Sequence, residues 1–363
     1  MKQRGWLLAF VLLLGIAAFL MARADSPRAP ARAVRMAFPR HPTLRDHERR
    51  ARRQSLPPVA LPGDTEAAPQ RRDPLTVALP TDPDKSAFVF ELEDLKDSPL
   101  GQIWMDCLLE RTDRGRDRFK DVFGIDLLED VERVAVSTGR VAILGLVPDA
   151  ERTPPPRATA RPYGERAQIY TSDDRGEIFA TWGDSLLLTG PERSAIEAAL
   201  DRLDGKGPLE EPRIPDWSAY GAMYGVLSPE DAANLFPPSR AELAAQLQAV
   251  VSRVDIHVDA AEDVAMVLDV SGPQADDLAD LARSLGGALT LARATSTEEG
   301  DHPLARLLEH AAVHPKDDRF AVDLALPLDL LKTMGPCRKR EPRPQEARPG
   351  DPSPAPEDTP ADE

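Results

Sequence analysis

Residues 177–204, EIFATWGDSLLLTGPERSAIEAALDRLD, contain the pattern that decides the fold. Two short apolar runs, 177–182 and 185–189, are separated by Gly183-Asp184, residue types that favour a tight hairpin turn. Pro191 then opens a helix, since proline is well suited to a first helical turn. The apolar residues of this helix keep helical spacing and are Ile196, Ala199, Leu200 and Leu203. The stretch therefore predicts an antiparallel hairpin followed by an amphipathic helix.

The same order of elements occurs again further along the chain. Apolar runs predict two more hairpins, at 133–147 and 254–270. Thr189-Gly190-Pro191-Glu192 and Ser271-Gly272-Pro273-Gln274 each follow a hairpin and open a helix. This recurrence predicts that the folded region was built by duplication.

We therefore predict an α+β fold of two related halves, residues 81–205 and 206–335, each an antiparallel sheet with helices packed on one face. The flanking segments differ in composition. Residues 25–80 are rich in Arg, Pro and Ala without a sustained period, which predicts a disordered tether. Residues 336–363 are rich in proline and acidic residues and predict a disordered tail.

The charge distribution separates the N-terminal part from the rest of the chain. Residues 1–76 hold 14 Lys and Arg against 6 Asp and Glu, whereas the remainder holds 31 against 55. An acidic body does not suit nucleic acid, because phosphate neutralisation needs Lys and Arg. The composition therefore argues against a nucleic-acid-binding protein. The basic N-terminal part is compatible with a solvated linker or with anionic lipid headgroups.

The first 24 residues predict export or membrane attachment. Lys2 and Arg4 precede an uncharged run from Trp6 to Met21, which as a helix would be about 24 Å long at ~1.5 Å per residue. That length matches the apolar core of a signal peptide or a short anchor. Ala22-Arg23-Ala24 offers small residues at the spacing of a cleavage site, but five arginines within residues 23–40 oppose simple translocation. Cleaved and anchored forms both stay open, and either predicts an extracytoplasmic protein.

Several turn and strand motifs resemble those of a group of exported bacterial proteins without assigned activity. The motifs are the strand 87–92, the turn Phe123-Gly124-Ile125-Asp126, and the Gly183-Asp184 hairpin. The resemblance covers about residues 86–205 and implies an α+β fold in a secreted or membrane-attached protein. It implies no activity and no catalytic residues. The proline-rich loop predicted at 148–162 departs from the compact pattern.

The chain has two cysteines, Cys107 and Cys337. An even, low count fits an oxidising compartment, where the two thiols could form one disulfide. Cys107 also lies on the apolar side of a predicted helix, which is the usual setting of a buried free thiol. Both readings stay open. The spacing matches no zinc site or thioredoxin-type motif.

His310 and His314 are the candidate metal ligands. They stand four apart in a segment where a helix is predicted over 303–313, with Glu309 and His302 nearby, and this spacing could place two imidazoles on one ion. The order of residues matches neither H-E-x-x-H nor its reverse, so zinc-protease chemistry has no support. Solvated histidines at a helix end are the simpler interpretation, and we predict no metal and no cofactor.

No other motif indicates catalysis. Gly183-Asp184-Ser185 fits a hairpin turn and is not a nucleophile elbow. The carboxylate pairs Asp255 and Asp259, and Asp173 and Asp174, are expected by chance among 61 acidic residues. Residues 221–225 contain two glycines but predict a strand and do not match a phosphate-binding loop.

The sequence therefore predicts a non-enzymatic extracytoplasmic protein that binds another envelope component, either a protein or a lipid. The alternative is a carrier or sensor of an apolar ligand, held in a groove between the sheet and helices 191–204 and 273–293. A hydrolase of the envelope is the third possibility.

Overall fold

A computed structural model describes residues 37–53, 55–57, 72–103, 120, 122–139, 141–148, 158–172, 176–206, 210–236, 241–298 and 310–330. The centre of the described chain is one twelve-stranded sheet in which every neighbouring pair of strands is antiparallel. The predicted α+β class, a mixture of helices with a large antiparallel sheet, is confirmed. The two cysteines, residues 1–24 and residues 336–363 lie outside the described residues.

The strands, in chain order, are β1 Ala87–Glu91, β2 Val131–Ser137, β3 Ala142–Leu146, β4 Ala158–Tyr163, β5 Ala167–Ser172, β6 Ile178–Trp182, β7 Leu186–Gly190, β8 Met223–Leu227, β9 Arg253–Asp259, β10 Val264–Ser271, β11 Ala312–Pro315 and β12 Arg319–Leu326. The helices with defined bounds are α1 Leu44–Arg52, α2 Pro74–Val77, α3 Leu92–Asp97, α4 Arg193–Leu203, α5 Pro229–Ala233, α6 Ala241–Val250 and α7 Ala275–Glu298, and Asp216–Ser218 form a 3₁₀ turn. The three predicted hairpins are present as β2–β3, β6–β7 and β9–β10.

The sheet has a central seam where β1 pairs with β8. Its strand order is β11-β12-β10-β9-β8-β1-β2-β3-β7-β6-β5-β4, so the N-terminal strands lie on one side of the seam and the C-terminal strands on the other. Gly225 permits the seam to close, because a Cβ there would lie 2.3 Å from the carbonyl oxygen of Ala87. The chain therefore forms one continuous sheet, not two separate ones.

The strand order also corrects the predicted correspondence between the halves. Counted outwards from the seam, β10 occupies the place of β3, and β12 occupies that of β7. Thr189 and Gly190 end β7, whereas Ser271 ends β10. The two Gly-Pro motifs are therefore not at equivalent places, and a similar turn chemistry explains their likeness.

Helices cover both faces of the sheet, so the prediction of a single covered face is wrong. On the first face, Val89 shares a core cluster with Ile196 and Leu200 of α4. On the second face, its neighbour Phe88 shares a cluster with Leu278 of α7. Successive side chains of a strand point to opposite faces, and many of these strands are apolar on both, so each face needs its own cover.

Part of the predicted tether is folded against the sheet. Residues 37–53, which we call the strap, contain α1 and cross the first face of the C-terminal strands. Near one end Arg40 forms an ion pair with Asp323 of β12, and at the other end Arg53 forms an ion pair with Glu91 of β1. Leu56 pairs with Arg72 in an isolated bridge and belongs to the core. The tether prediction is therefore wrong for these residues, because charged side chains of α1 contact the sheet and Leu56 packs in the core.

The two edge strands were not predicted. β4 lies inside the expected proline-rich loop, and β11 replaces the end of the helix expected over 303–313. Each edge strand contains a proline, Pro162 in β4 and Pro315 in β11. Proline is tolerated at a sheet edge, where one missing backbone donor leaves the ladder intact.

Candidate functional site

Seven charged side chains meet on the first face beside the seam. Four are carboxylates and three are guanidinium groups, and each is shielded from solvent almost completely. This central charge cluster consists of Asp46, Arg49 and Arg53 of the strap, Asp73 before α2, Glu91 of β1, Asp94 of α3 and Arg133 of β2. The cluster joins five separate parts of the chain at one point.

One pair of the cluster joins Arg133 to Asp73. Arg133 is the register partner of Glu91 on the neighbouring strand, so its side chain lies on the first face. Its Nη1 and Nη2 donate to the two oxygens of Asp73, with 3.2 Å between Nη2 and Oδ1. Asp73 also caps α2, accepting a 3.1 Å hydrogen bond from the backbone N–H of Leu75. One carboxylate thus fixes both a helix start and a strand.

Glu91 connects the strap to the seam. Its Oε1 accepts hydrogen bonds from Nη2 of Arg53 at 2.6 Å and from the hydroxyl of Tyr224 at 2.8 Å. Tyr224 lies on β8 and is fully buried. Through this carboxylate, the last residue of the strap is joined to both strands of the seam.

Asp46 and Arg49 seat α1 itself. Asp46 and Thr43 form a capping box at the start of the helix, with 2.7 Å from the backbone N–H of Thr43 to Oδ2. Oδ1 accepts a 3.1 Å bond from the N–H of Gly221, whose φ of +98° suits glycine. Arg49 donates to Asp46 and to Asp94. The helix cap and the attachment of the strap therefore use the same carboxylate.

The ionisation of the cluster is fixed by its pairing. Burial alone would raise the pKa of Asp73, but the charge and hydrogen bonds of Arg133 outweigh it and hold that pKa below its usual value. Burial would likewise lower the pKa of Arg133, yet Asp73 keeps it above the ordinary value. The pKa of Tyr224 is raised, first by burial and then by Glu91. Near neutral pH Asp73 is therefore ionised, Arg133 is protonated and the Tyr224 hydroxyl is neutral.

Few features of the sequence predict this cluster. Its strap members are Arg49 and Arg53, which continue a four-residue spacing from Arg45, together with Asp46 three residues after Thr43. Together these mark a capped helix with one cationic face. Apart from Asp46, the partners of these arginines within the cluster are 20 to 45 residues further along the chain and come close only in the folded structure.

A second polar group lies on β9 next to the cluster. The ring of His257 stacks on that of Tyr220, with 3.8 Å between the ring centroids. The carboxylate of Asp255 accepts hydrogen bonds from Nε of Arg253 at 2.7 Å and from the hydroxyl of Ser218 at 3.1 Å. Ser218, Asp255 and His257 are all buried. The hydroxyl donates to the carboxylate, so these three residues do not form a Ser–His–Asp catalytic arrangement.

Asp255 and Asp259, considered above as a carboxylate pair, both lie on β9 but make different local contacts. Asp259 accepts a 2.8 Å hydrogen bond from the backbone N–H of Ala261 at the end of β9. Gly183 adopts a φ of +55° in the hairpin before Ser185, as the turn chemistry predicts. Asp173 and Asp174 lie outside the described residues.

The two candidate metal ligands do not share a helix. His310 is in a turn, whereas His314 is in β11, with its Nε2 3.0 Å from Oδ2 of Asp323. Arg40 of the strap binds the same carboxylate oxygen. Among the described residues no group of three or more potential ligands could hold a metal ion. His302 and Glu309 lie outside those residues.

A cleft of about 280 Å³ opens beside the C-terminal end of α4. Its lining carries charges of both signs, with Arg72, Arg202 and Lys206 opposite Asp201 and Glu210. Lys206 pairs with Asp204 at 3.0 Å, outside the cleft lining. The cleft therefore has a mixed lining of charged and apolar residues, unlike the mostly apolar groove expected of a lipid carrier.

The comparisons with known proteins give a fold-level likeness only. No family model and no curated protein sequence matches the chain. Two solved structures of TP0453 are similar over 73% of this chain, crystal form III over 98% of its own length with a TM-score of 0.41, and crystal form I over 97% with a TM-score of 0.37. The sequence identity is 12% in both cases.

Within the part of the chain that the structure describes, no helix is long and apolar enough to cross a bilayer.

Proposed function

We propose that this chain is a non-enzymatic extracytoplasmic protein that binds another protein of the cell envelope through the surface around Trp217. The observation that carries this proposal is the exposure of Trp217. Its side chain is 59% exposed, whereas Trp182 is 1% exposed inside the core. Tryptophan is enriched among the residues that dominate binding at protein interfaces.

The backbone around Trp217 is held in place by the strap. Nη2 of Arg50 donates a 3.0 Å hydrogen bond to the carbonyl oxygen of Ala219, and Nη1 lies 3.8 Å from Asp216. Leu44, at the start of α1, is 75% exposed as well. A fixed, exposed aromatic side chain loses little conformational entropy on binding, which favours a role in recognition.

The envelope location rests on the N-terminal sequence. Residues 1–24 have the composition of a signal peptide or an anchor, and the strap begins only a few residues later. We infer that the folded body is held close to the membrane surface when this segment is retained. The folded body is acidic, and the charges of its central cluster pair with one another in the interior. Both features support a binding role over catalysis.

We also propose that the sheet arose by duplication of a strand–helix–hairpin unit. The support is the matching order of strands on the two sides of the seam, β1-β2-β3-β7-β6 and β8-β9-β10-β12-β11. The carrier of an apolar ligand stays the second candidate, but the mixed lining of the cleft beside α4 favours it less.

The test is native mass spectrometry of the protein purified gently from its own membranes, with Trp217→Ala beside the wild type. Leu291→Ala is the matched control, since Leu291 is also 59% exposed but lies on α7. We expect a stoichiometric protein companion that is lost in Trp217→Ala, by about 30-fold in affinity for a dominant interface residue, and kept in Leu291→Ala. A companion that both variants keep would refute this surface. A retained lipid without a protein companion would support the carrier.

A further inference from the structure

Within the strap, α1 is attached to the body by charge and hydrogen bonds rather than by apolar packing, whereas Pro39 ahead of it is buried. The residues of α1 that face the sheet are Asp46, Arg49 and Arg50, and Arg53 follows directly. No residue of α1 belongs to any hydrophobic cluster of the described chain. The apolar residue of its first turn, Leu44, points into solvent.

The partners of the strap form an acidic track on the body. From β12 to the seam, the strap meets Asp323, Asp216, Asp94 and Glu91, as well as the carbonyl oxygens of Ala219 and Gly221. Five of the six arginines of the strap contact this track, and they are Arg40, Arg45, Arg49, Arg50 and Arg53. The surface is thus suited to an arginine-rich helix, and its occupant in this structure is the chain's own segment.

The fit of this occupant is incomplete. The Nε atoms of Arg49 and Arg50 are buried without a hydrogen-bond partner. Arg40 and Arg45, at the outer contacts, keep 39% and 55% of their side chains exposed. Desolvation of paired charges largely offsets their attraction, so a segment held in this way gains little net stability from its contacts.

We propose that the strap is a releasable element, which detaches from the acidic track while the sheet stays folded. High salt favours release because it screens the exposed outer contacts of Arg40 and Arg45: the Debye length falls from about 10 Å at 0.1 M to about 3 Å at 1 M, whereas buried pairs are screened much less. Leu56 belongs to the core and marks the point beyond which the chain stays attached. The strap thus detaches as one unit ahead of Leu56.

Release changes how far the body can stand from the membrane, a consequence that rests on the proposed membrane attachment. With the strap docked, residues 25–36 connect the predicted N-terminal segment to the body and span at most about 40 Å at ~3.6 Å per residue. With the strap detached, residues 25–54 span at most about 105 Å by the same measure. The strap would then set the reach of the Trp217 surface.

The experiment is hydrogen–deuterium exchange of the purified full chain, read by mass spectrometry in 50 mM and 1 M NaCl. We expect amides within Leu44–Arg52 to exchange about ten-fold faster in high salt, while those of Met223–Leu227 in β8 change little, as for a local opening. Arg49→Met should give the same ten-fold increase in 50 mM NaCl. Arg283→Met, which removes an exposed ion pair with Asp280 on α7, is the control and should leave the strap unchanged.

Equal exchange of the strap and β8 in both salt concentrations would overturn the proposal, because the strap would then open only with the whole fold. If Arg49→Met also speeds exchange in β8, the outer variant Arg45→Met decides. Unchanged strap exchange in Arg45→Met, together with no response to salt, refutes release. The measurement needs neither membrane nor partner, so its failure is separate from a failure of the Trp217 experiment.

Discussion

Replacing Glu91 by glutamine removes one charge from the centre of the molecule at almost constant volume. Glu91 is 2% exposed and accepts hydrogen bonds from Arg53 and Tyr224 through the same oxygen. Glutamine can keep one acceptor there, but it brings an NH₂ group toward cations and no longer balances Arg53. Each hydrogen bond to a charged group contributes about 1.5–3 kcal/mol, and breaking a buried pair costs about 3–5 kcal/mol.

We therefore expect Glu91→Gln to lower the free energy of unfolding by about 3–4 kcal/mol, a large share of the 5–15 kcal/mol typical of a domain. The assay is urea unfolding followed by tryptophan fluorescence and, in parallel, by circular dichroism. The double variant Glu91→Gln with Arg53→Met removes both charges and should recover part of the loss. A loss below about 1 kcal/mol in the single variant would show that Glu91 is solvated or that its partners rearrange, and would refute the reasoning.

Three further outcomes follow from the same structure. Burial lowers the pKa of His257, so the fold is destabilised by this residue only as the pH falls below 6.5. His257→Gln should therefore reduce the difference in unfolding free energy between pH 7.5 and pH 5.5, and the share of that difference due to His257 is at most about 1.4 kcal/mol. An unchanged difference would count against this role. Burial would raise the pKa of Asp46, but hydrogen bonds from Thr43 and Gly221 and the charge of Arg49 outweigh this and hold that pKa below its ordinary value of 3.8. The stability that Asp46 contributes is therefore present above pH 3.8 and is lost as the pH falls further. We expect the tryptophan fluorescence of the wild type to show a step below pH 3.8 that Asp46→Asn lacks, and a step of equal size in the variant would contradict this role. Gly286→Ala should stabilise α7 by about 0.5–1 kcal/mol and raise the melting temperature, because nothing lies within 4 Å of the added Cβ. Gly225→Ala should strongly destabilise the seam, because its Cβ would lie 2.3 Å from the carbonyl oxygen of Ala87. Equal effects of the two variants would contradict the packing described.

Local chemistry allowed much of the sheet to be predicted. The β6–β7 hairpin follows from Gly183-Asp184 between aliphatic runs, and α5 follows from Ser228, whose side chain accepts from the N–H of Asp231. β4 was missed because its residues are polar and include Pro162, a sequence that only an edge strand tolerates.

The central charge cluster lay beyond such reasoning for a physical reason. Residues that face the interior are expected to be apolar, so the charged inward face of α1 was interpreted as part of a solvated tether. Asp73, Glu91 and Arg133 have no spacing in common and meet only because β1 and β2 pair. The helical interpretation of the four-residue spacing of His310 and His314 was wrong, because a strand begins between them.

The seam between β1 and β8 also governs the order in which this chain can be assembled. β1 ends at Glu91, and its partner β8 begins only at Met223, so more than one hundred residues must emerge before the pairing can form. Until then, one side of β1 is an unpaired strand edge, a surface that recruits other extended chains. A protein carried across a membrane as it is made would have this edge open during passage. The first side of the sheet therefore keeps an open edge strand until β8 pairs with β1.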